Sequence, residues 1–322
     1  GLVLWNLAAE RRGAGDRRKC YPMGIALKSC MGSGAKMTEM NNGPETLKGE
    51  DWAGEMGAKW LANLACFEGM IAPIGEALLR QADFKPGERV LDIGCGGGGT
   101  TIAIAKAVAP SGEVVGIDIS PDLTTASMRR AKDAGVTNIG FICADGATVQ
   151  LDDAPFGRLF SRFGSMFFPE PHKAFANLHS LLRPRARIDL AVWGPPRDNL
   201  WMMEMMGVVR RYVDIPPAVP RAPGPFAFED LDYLNEILAR GGFSEASVVT
   251  YNGLQPIGGV NAAPHDAVSF VLSSMAAGRA LEEQGADVRA AAETDLLVLF
   301  QKHYVAGQGV MMQGKAWLVS AT

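Results

Sequence analysis

Apolar and polar positions along this chain fall into two rhythms. Between Trp52 and Gln81 the apolar residues Trp60, Leu61, Leu64, Phe67, Met70, Ile71, Ile74, Leu78 and Leu79 recur at three- and four-residue steps, the spacing of helices with one buried stripe. Pro73 predicts a break there into two helices, because proline lacks the donor that a helix interior needs. Farther on, short apolar runs at 89–93, 113–117, 139–143, 158–161 and 188–193 read as strands, with helices at 100–108, 121–134 and 172–182 between them. Such alternation predicts a parallel sheet with helices on both faces, an α/β doubly wound, Rossmann-like domain. A methionine-rich helix at 200–212 follows, then the proline-dense "DIPPAVPRAPGPF", which reads as a long loop. A helix at 228–240 stops at Gly241 and Gly242. A strand at 246–251, a mostly helical stretch at 263–304 and a last strand in "KAWLVSAT" bring the expected count to seven strands. Residues 51–322 thus read as one domain: a helical prelude (51–83), a core (84–195), and a late region (196–322) whose helices join the prelude as a lid.

Composition narrows the function classes. The 322 residues are 48% hydrophobic and 20% charged, enough for a large core, and no apolar run approaches a membrane span. A formal net charge of -4 argues against a grip on nucleic acid. Five cysteines without a CxxC pair make neither a disulfide framework nor a metal site, which fits a reducing cytosol. Cys95 and Cys143, at predicted strand ends, read as small buried hydrophobes. The first 36 residues carry +5 and the remainder -9, and the chain starts with Gly ahead of Met23, Met31, Met37 and Met40. Residues 1–50 are therefore read as a disordered extension or a translated upstream region, with a targeting peptide as the alternative.

The candidate chemistry sits in "VLDIGCGGGGTT", Val90 to Thr101. A glycine-rich turn behind the first strand lets ligand atoms approach the backbone, and Gly94, Gly96 and Gly99 satisfy a loose dinucleotide pattern. Asp92 separates the candidates: a carboxylate there suits a cationic ligand and repels a diphosphate. Asp118 ends "VVGIDI", where a side chain can accept from ribose hydroxyls, and Asp145 ends "FICAD", within reach of an adenine amino group. Three acids at three strand tips outline a cationic nucleoside, S-adenosylmethionine. The rival readings are an NAD(P)-dependent oxidoreductase and a non-catalytic protein that binds S-adenosylmethionine.

The stretches "VLDIGCGGGGTT", "VVGIDIS" and "FICADGAT" resemble motifs I, II and III of class I S-adenosylmethionine-dependent methyltransferases, with Asp92, Gly94, Gly96 and Gly98 matching DxGxGxG. "SRFGSMFFPEPHKAFANLHSLLRP" resembles the segment after motif III in small-molecule members related to the ubiquinone and menaquinone methyltransferases. The resemblance runs from about Trp60 to Thr322. It implies a seven-stranded sheet with the last strand antiparallel, and a donor-binding set of Asp92, Gly94, Cys95, Gly96, Gly98, Asp118, Ile119, Asp145, Gly146 and Ser161. The sequence departs from the family pattern in two places: Gly157 stands in place of an acid before the fourth strand, and Arg185 with Ala186 replace a glycine pair before the fifth, so that turn is expected to find another geometry.

Methyl transfer is an in-line displacement that needs positioning and a dry pocket rather than a nucleophilic residue. The expected acceptor is a small hydrophobic or aromatic compound, lined by Arg162, Phe163, Phe167 and Trp193. Arg162 is the one candidate for a catalytic role, either holding a carboxylate or enolate or bracing the loop through a carboxylate of the prelude. His172 and His179 share a helix face and read as surface or packing residues, whereas His265 and His303 fall in the late region, where the pattern leaves their role open.

Overall fold

A computed structural model of the chain describes residues 49–322, so the reading of residues 1–50 falls, up to residue 48, outside the described residues. The prelude forms α1 (Gly49–Ala53), α2 (Glu55–Ala62) and α3 (Leu64–Ala82). The core alternates as β1 (Arg89–Ile93), α4 (Gly99–Val108), β2 (Glu113–Asp118), α5 (Pro121–Asp133), β3 (Ile139–Cys143), β4 (Phe156–Arg162), α6 (Pro171–Ser180) and β5 (Leu182–Trp193). The late region adds α7 (Leu200–Val209), α8 (Leu231–Arg240), β6 (Ser247–Ile257), α9 (Pro264–Ser274), α10 (Ala276–Glu282), α11 (Ala286–Lys302), β7 (Tyr304–Val305) and β8 (Gly309–Ala321).

One sheet takes the order β3-β2-β1-β4-β5-β8-β6. The first five strands pair in parallel, and β8 runs antiparallel between β5 and β6. This is the expected Rossmann-like plan, with the two-residue β7 as an eighth strand on β8. Both β6 and β8 run longer than their apolar cores suggested, because they pair with each other from Ser247↔Ser320 to Ile257↔Val310. Backbone pairing, not side-chain pattern, extends such ribbons past their buried portion.

Two local expectations need correction. Pro73 lies inside α3, and the break falls instead at Asn63, where α2 and α3 meet at 83°. Asn63 leaves helical geometry at φ -115°, ψ 24°, and its side-chain amide caps the Lys59 carbonyl at 3.0 Å. Before the central part of β5, Arg185 takes the left-handed conformation (φ 59°) that the missing glycines would have filled.

Beneath the end of α3 lies a buried charge cluster. Asp189, fully buried on β5, accepts from Arg158 Nη2 at 2.8 Å, Arg187 Nη2 at 2.7 Å and Ser320 Oγ at 2.6 Å. Arg158 and Arg187 also donate to the last carbonyls of α3, Ala82 O at 2.6 Å and Gln81 O at 2.8 Å. The cluster thereby ties the prelude to the centre of the sheet. Removing Asp189 leaves Arg187 without its carboxylate and the buried Arg158 with Glu88 alone, so Asp189→Ala is expected to cost about 3 kcal/mol, read as a lower urea midpoint.

Candidate functional site

Strand order reverses between β1 and β4, so the crevice of the fold opens at their carboxyl ends. The glycine loop follows β1 directly. Gly94 and Cys95 N–H both donate to Ile117 O, at 2.8 and 3.0 Å, which folds the loop over the tip of β2. Gly97 has a packing reason to lack a side chain: a Cβ there would lie 2.7 Å from both Leu64 methyl carbons of α3. The prelude thus lies directly on the loop.

Asp92 is 1% exposed and lies under the loop rather than facing out of the crevice. Its Oδ2 accepts from Thr100 Oγ1 at 3.1 Å and Thr101 Oγ1 at 2.7 Å, in the first turns of α4. Oδ1 has no hydrogen-bond partner among the described residues. Burial pushes its pKa up to about 6, outweighing the two threonine hydroxyls. Asp118, at the end of β2, accepts from Gly96 N at 2.8 Å and Ser120 N at 2.9 Å. Burial raises its pKa too, against those backbone hydrogen bonds. Each of its oxygens keeps a further lone pair. Asp145 stands exposed beyond β3, with Oδ1 on Ala147 N at 2.8 Å. Gly146 behind it packs against Ile93 and Phe168.

The prelude closes the loop from above. Glu68 on α3 makes a two-pronged ion pair with Arg130 on α5, both contacts at 2.8 Å, and Arg130 also donates to Gly97 O. Trp60 stacks on Phe67 with centroids 3.9 Å apart, and Phe67 meets Phe270 of α9 edge-on at 4.8 Å. Prelude and late helices therefore join through aromatic rings.

Residues 90–185 match the family model described as a methyltransferase domain. This segment is a methyltransferase domain. Over parts of their length, curated methyltransferases are similar to it. Nocamycin O-methyltransferase of Saccharothrix syringae is 33% identical over 38% of this chain and 44% of its own length. Aklanonic acid methyltransferase of a Streptomyces species is 32% identical over 36% of this chain and 53% of its own. The chain spans about half the length of the curated relatives it matches. Among solved structures, the YcgJ protein of Bacillus subtilis has a TM-score of 0.51 at 19% identity, covering 78% of this chain and 97% of that one. The [4+2]-cyclase SpnF reaches 0.52 at 15% identity, covering 87% and 98%. At these identities the likeness concerns the fold alone.

Within the methyltransferase domain the expected residues separate into groups. Asp92, Gly94, Gly96, Gly98 and Asp118 gather around the loop, with Ile119 half-buried at its edge. Cys95 is buried, its thiol pushed well up by burial beside Asp118 and Asp92. Cys143, by contrast, is exposed, because β3 is the edge strand. Ser161 is fully buried, and its hydroxyl donates to Ile93 O at 2.9 Å. Phe163 and Trp193 are also buried, stacked on each other at 4.5 Å. Phe167 is half-buried against Trp52, rings 4.8 Å apart. Arg162 does not brace the loop through a prelude carboxylate, since Glu68 is taken by Arg130. His303 Nε2 lies 2.8 Å from Glu204, His265 is exposed, and His179 packs on Phe243.

Sequence reading missed Glu68, Arg130, Trp52 and the two threonines. Thr100 and Thr101 were readable as hydroxyls facing back to β1 in the first turns of a helix. The Glu68–Arg130 pair spans 62 residues, and no local pattern marks it.

The raised pKa of Asp92 gives a signed expectation. The folded state binds this proton more tightly than the unfolded chain, so the contribution favours folding below pH ~4 and is lost as pH rises to ~6. Without donor, the wild type should lose about 3 kcal/mol relative to Asp92→Asn across that window, measured by urea unfolding at several pH values.

Proposed function

We propose that this protein transfers a methyl group from S-adenosylmethionine to a small, apolar acceptor. The observation that carries the reading is the buried Asp92 carboxylate with an unpartnered oxygen, beside an Asp118 carboxylate already oriented by Gly96 and Ser120. An orphaned buried anion fits an ammonium or sulfonium centre, and an oriented strand-tip acid fits ribose hydroxyls. Around the loop stand Asp92, Asp118 and Glu68 against Arg130 and Arg162, one negative charge in excess when all are ionised. The donor carries one net positive charge. A dinucleotide would add its diphosphate to a site already negative, which disfavours the oxidoreductase reading.

When bound, the donor supplies a methyl carbon on a cationic sulfur: the acceptor's lone pair forms the new bond while the C–S pair leaves to sulfur, giving S-adenosylhomocysteine. The chain's part is positional. In this reading Asp92 Oδ1 and the loop hold the amino-acid end, Asp118 the ribose and Asp145 the adenine amino group. The prelude and α9 exclude water. Relatives named for individual compounds, nocamycin, aklanonic acid and demethylmenaquinone, support a small-molecule acceptor.

Calorimetry with S-adenosylmethionine and with NADH tests the donor. Binding of the sulfonium compound alone is expected, weakened about tenfold or more by Asp92→Asn through loss of a charge-assisted contact. Uptake of NADH instead, or unchanged affinity in the variant, overturns the assignment. Formation of S-adenosylhomocysteine with a panel of quinols and phenols then separates transfer from binding alone.

A further inference from the structure

Five buried side-chain polar atoms among the described residues lack a hydrogen-bond partner: Trp52 Nε1, Asp92 Oδ1, Arg158 Nε, Ser165 Oγ and Gln255 Oε1. Folded interiors rarely leave such atoms unpaired, so where they gather is informative. Asp92 ends β1, Ser165 lies in the turn after β4, and Trp52 packs edge-on against Phe167 of that same turn. Arg162, the last residue of β4, adds a larger unmet donor. It is half-buried, and it makes no hydrogen bond or ion pair with any described residue. Its obvious carboxylate neighbour, Glu68, is held by Arg130 through both oxygens. Burial works against the charge of Arg162, and Glu68 and Asp92 offset that only from a distance.

The helix above leaves room for this side chain. A methyl group added at Gly75 of α3 would lie 2.9 Å from both Arg162 Cδ and Nη1. Strand alternation puts Arg158, Phe160 and Arg162 on one face of β4. Phe160 contacts Phe84 just past α3 at 5.9 Å, and Arg158 reaches Ala82 at its end. Those two are committed to structure. Of the two arginines, Arg158 leaves only Nε unpaired, whereas Arg162, at the crevice end, has its whole guanidinium without a partner among the described residues.

We propose that the methyl acceptor meets this turn as a delocalised oxyanion, a carboxylate or ionised enol on a flat apolar body, and that Arg162 holds it. The inference rests on the methyl-transfer reading and names its acceptor class. A guanidinium fork matches two oxygens that share one negative charge. The hydroxyl of Ser165 in the turn and the indole N–H of Trp52, whose ring packs on Phe167 of that turn, are further unmet donors, and the rings of Trp52 and Phe167 are both half-buried. The histidines point the same way. His172 and His179 lie on α6, His265 is exposed on α9, and His303 is paired with Glu204. An oxyanion needs none of them as a base: its lone pair forms the O–C bond, the C–S pair goes to sulfur, and both products leave neutral at the reacting atoms with no proton to place.

The test is calorimetry on the full chain, with and without S-adenosylhomocysteine, using matched probes. 2-Naphthoate is compared with 2-naphthamide, and 2-hydroxy-1,4-naphthoquinone with 1,4-naphthoquinone, so the two arms tell carboxylate from enol. At least one anion is expected to bind about tenfold or more tightly than its neutral partner. Arg162→Met should bring that ratio to about one while S-adenosylhomocysteine still binds, and Arg162→Lys should restore part of it. Equal binding within both pairs, or a preference that survives Arg162→Met, overturns the proposal. If Arg162→Met does not fold, the wild-type ratios and Arg162→Lys decide. Failure to bind S-adenosylhomocysteine sinks the methyl-transfer reading instead, and the anion ratios measured without it still read Arg162.

Discussion

A carboxylate shut beneath a glycine turn is the constraint around which this crevice is built. Asp92 is nearly inaccessible, and the two threonine hydroxyls that begin α4 hold only one of its oxygens. Leaving the other unpaired in a buried setting is costly, which is why the pKa of the group rises. The strain is local and sits where two parallel strands diverge, the place where a ligand of opposite charge can relieve it. Around it the backbone is well satisfied: loop amides bond to β2 and to Asp118, and the loop carbonyls at Gly96 and Gly97 are taken by Ser127 and Arg130. The turn is therefore fixed by its own hydrogen bonds rather than slack.

Much of the architecture was readable because it rests on local periodicity. The βα alternation from Arg89 to Trp193 and the glycine turn are patterns within a few tens of residues, and both appear where the spacing put them. What escaped reading depends on pairing across the chain. The extended β6–β8 ribbon follows from backbone hydrogen bonds that side-chain pattern does not record. Pro73 was read as a break because proline disfavours a helix interior, yet the long apolar face of α3 buries Met70, Ile71, Ile74 and Leu78, and that burial outweighs the local preference.

The site divides along the same line. Asp92, Asp118 and the loop glycines were visible as types in a spacing. Their condition was not: that Asp92 faces inward, that Ser161 spends its hydroxyl on Ile93, and that Phe163 and Trp193 stack on each other follow only from which face each strand presents. The Glu68–Arg130 pair carries the same lesson in charge. Arg162 had a plausible prelude partner by composition, and the fold gave that partner to another arginine.

The family match covers residues 90–185. Trp52, Trp60 and Glu68 of the prelude, and α7 and α9 of the late region, all lie outside it. Under the methyl-transfer reading, two tasks fall to different parts of the chain: the strand tips inside the matched segment grip the donor, and the helices on either side meet the acceptor. Such a division would let the flanking helices change without disturbing the glycine turn or the strand tips beneath it.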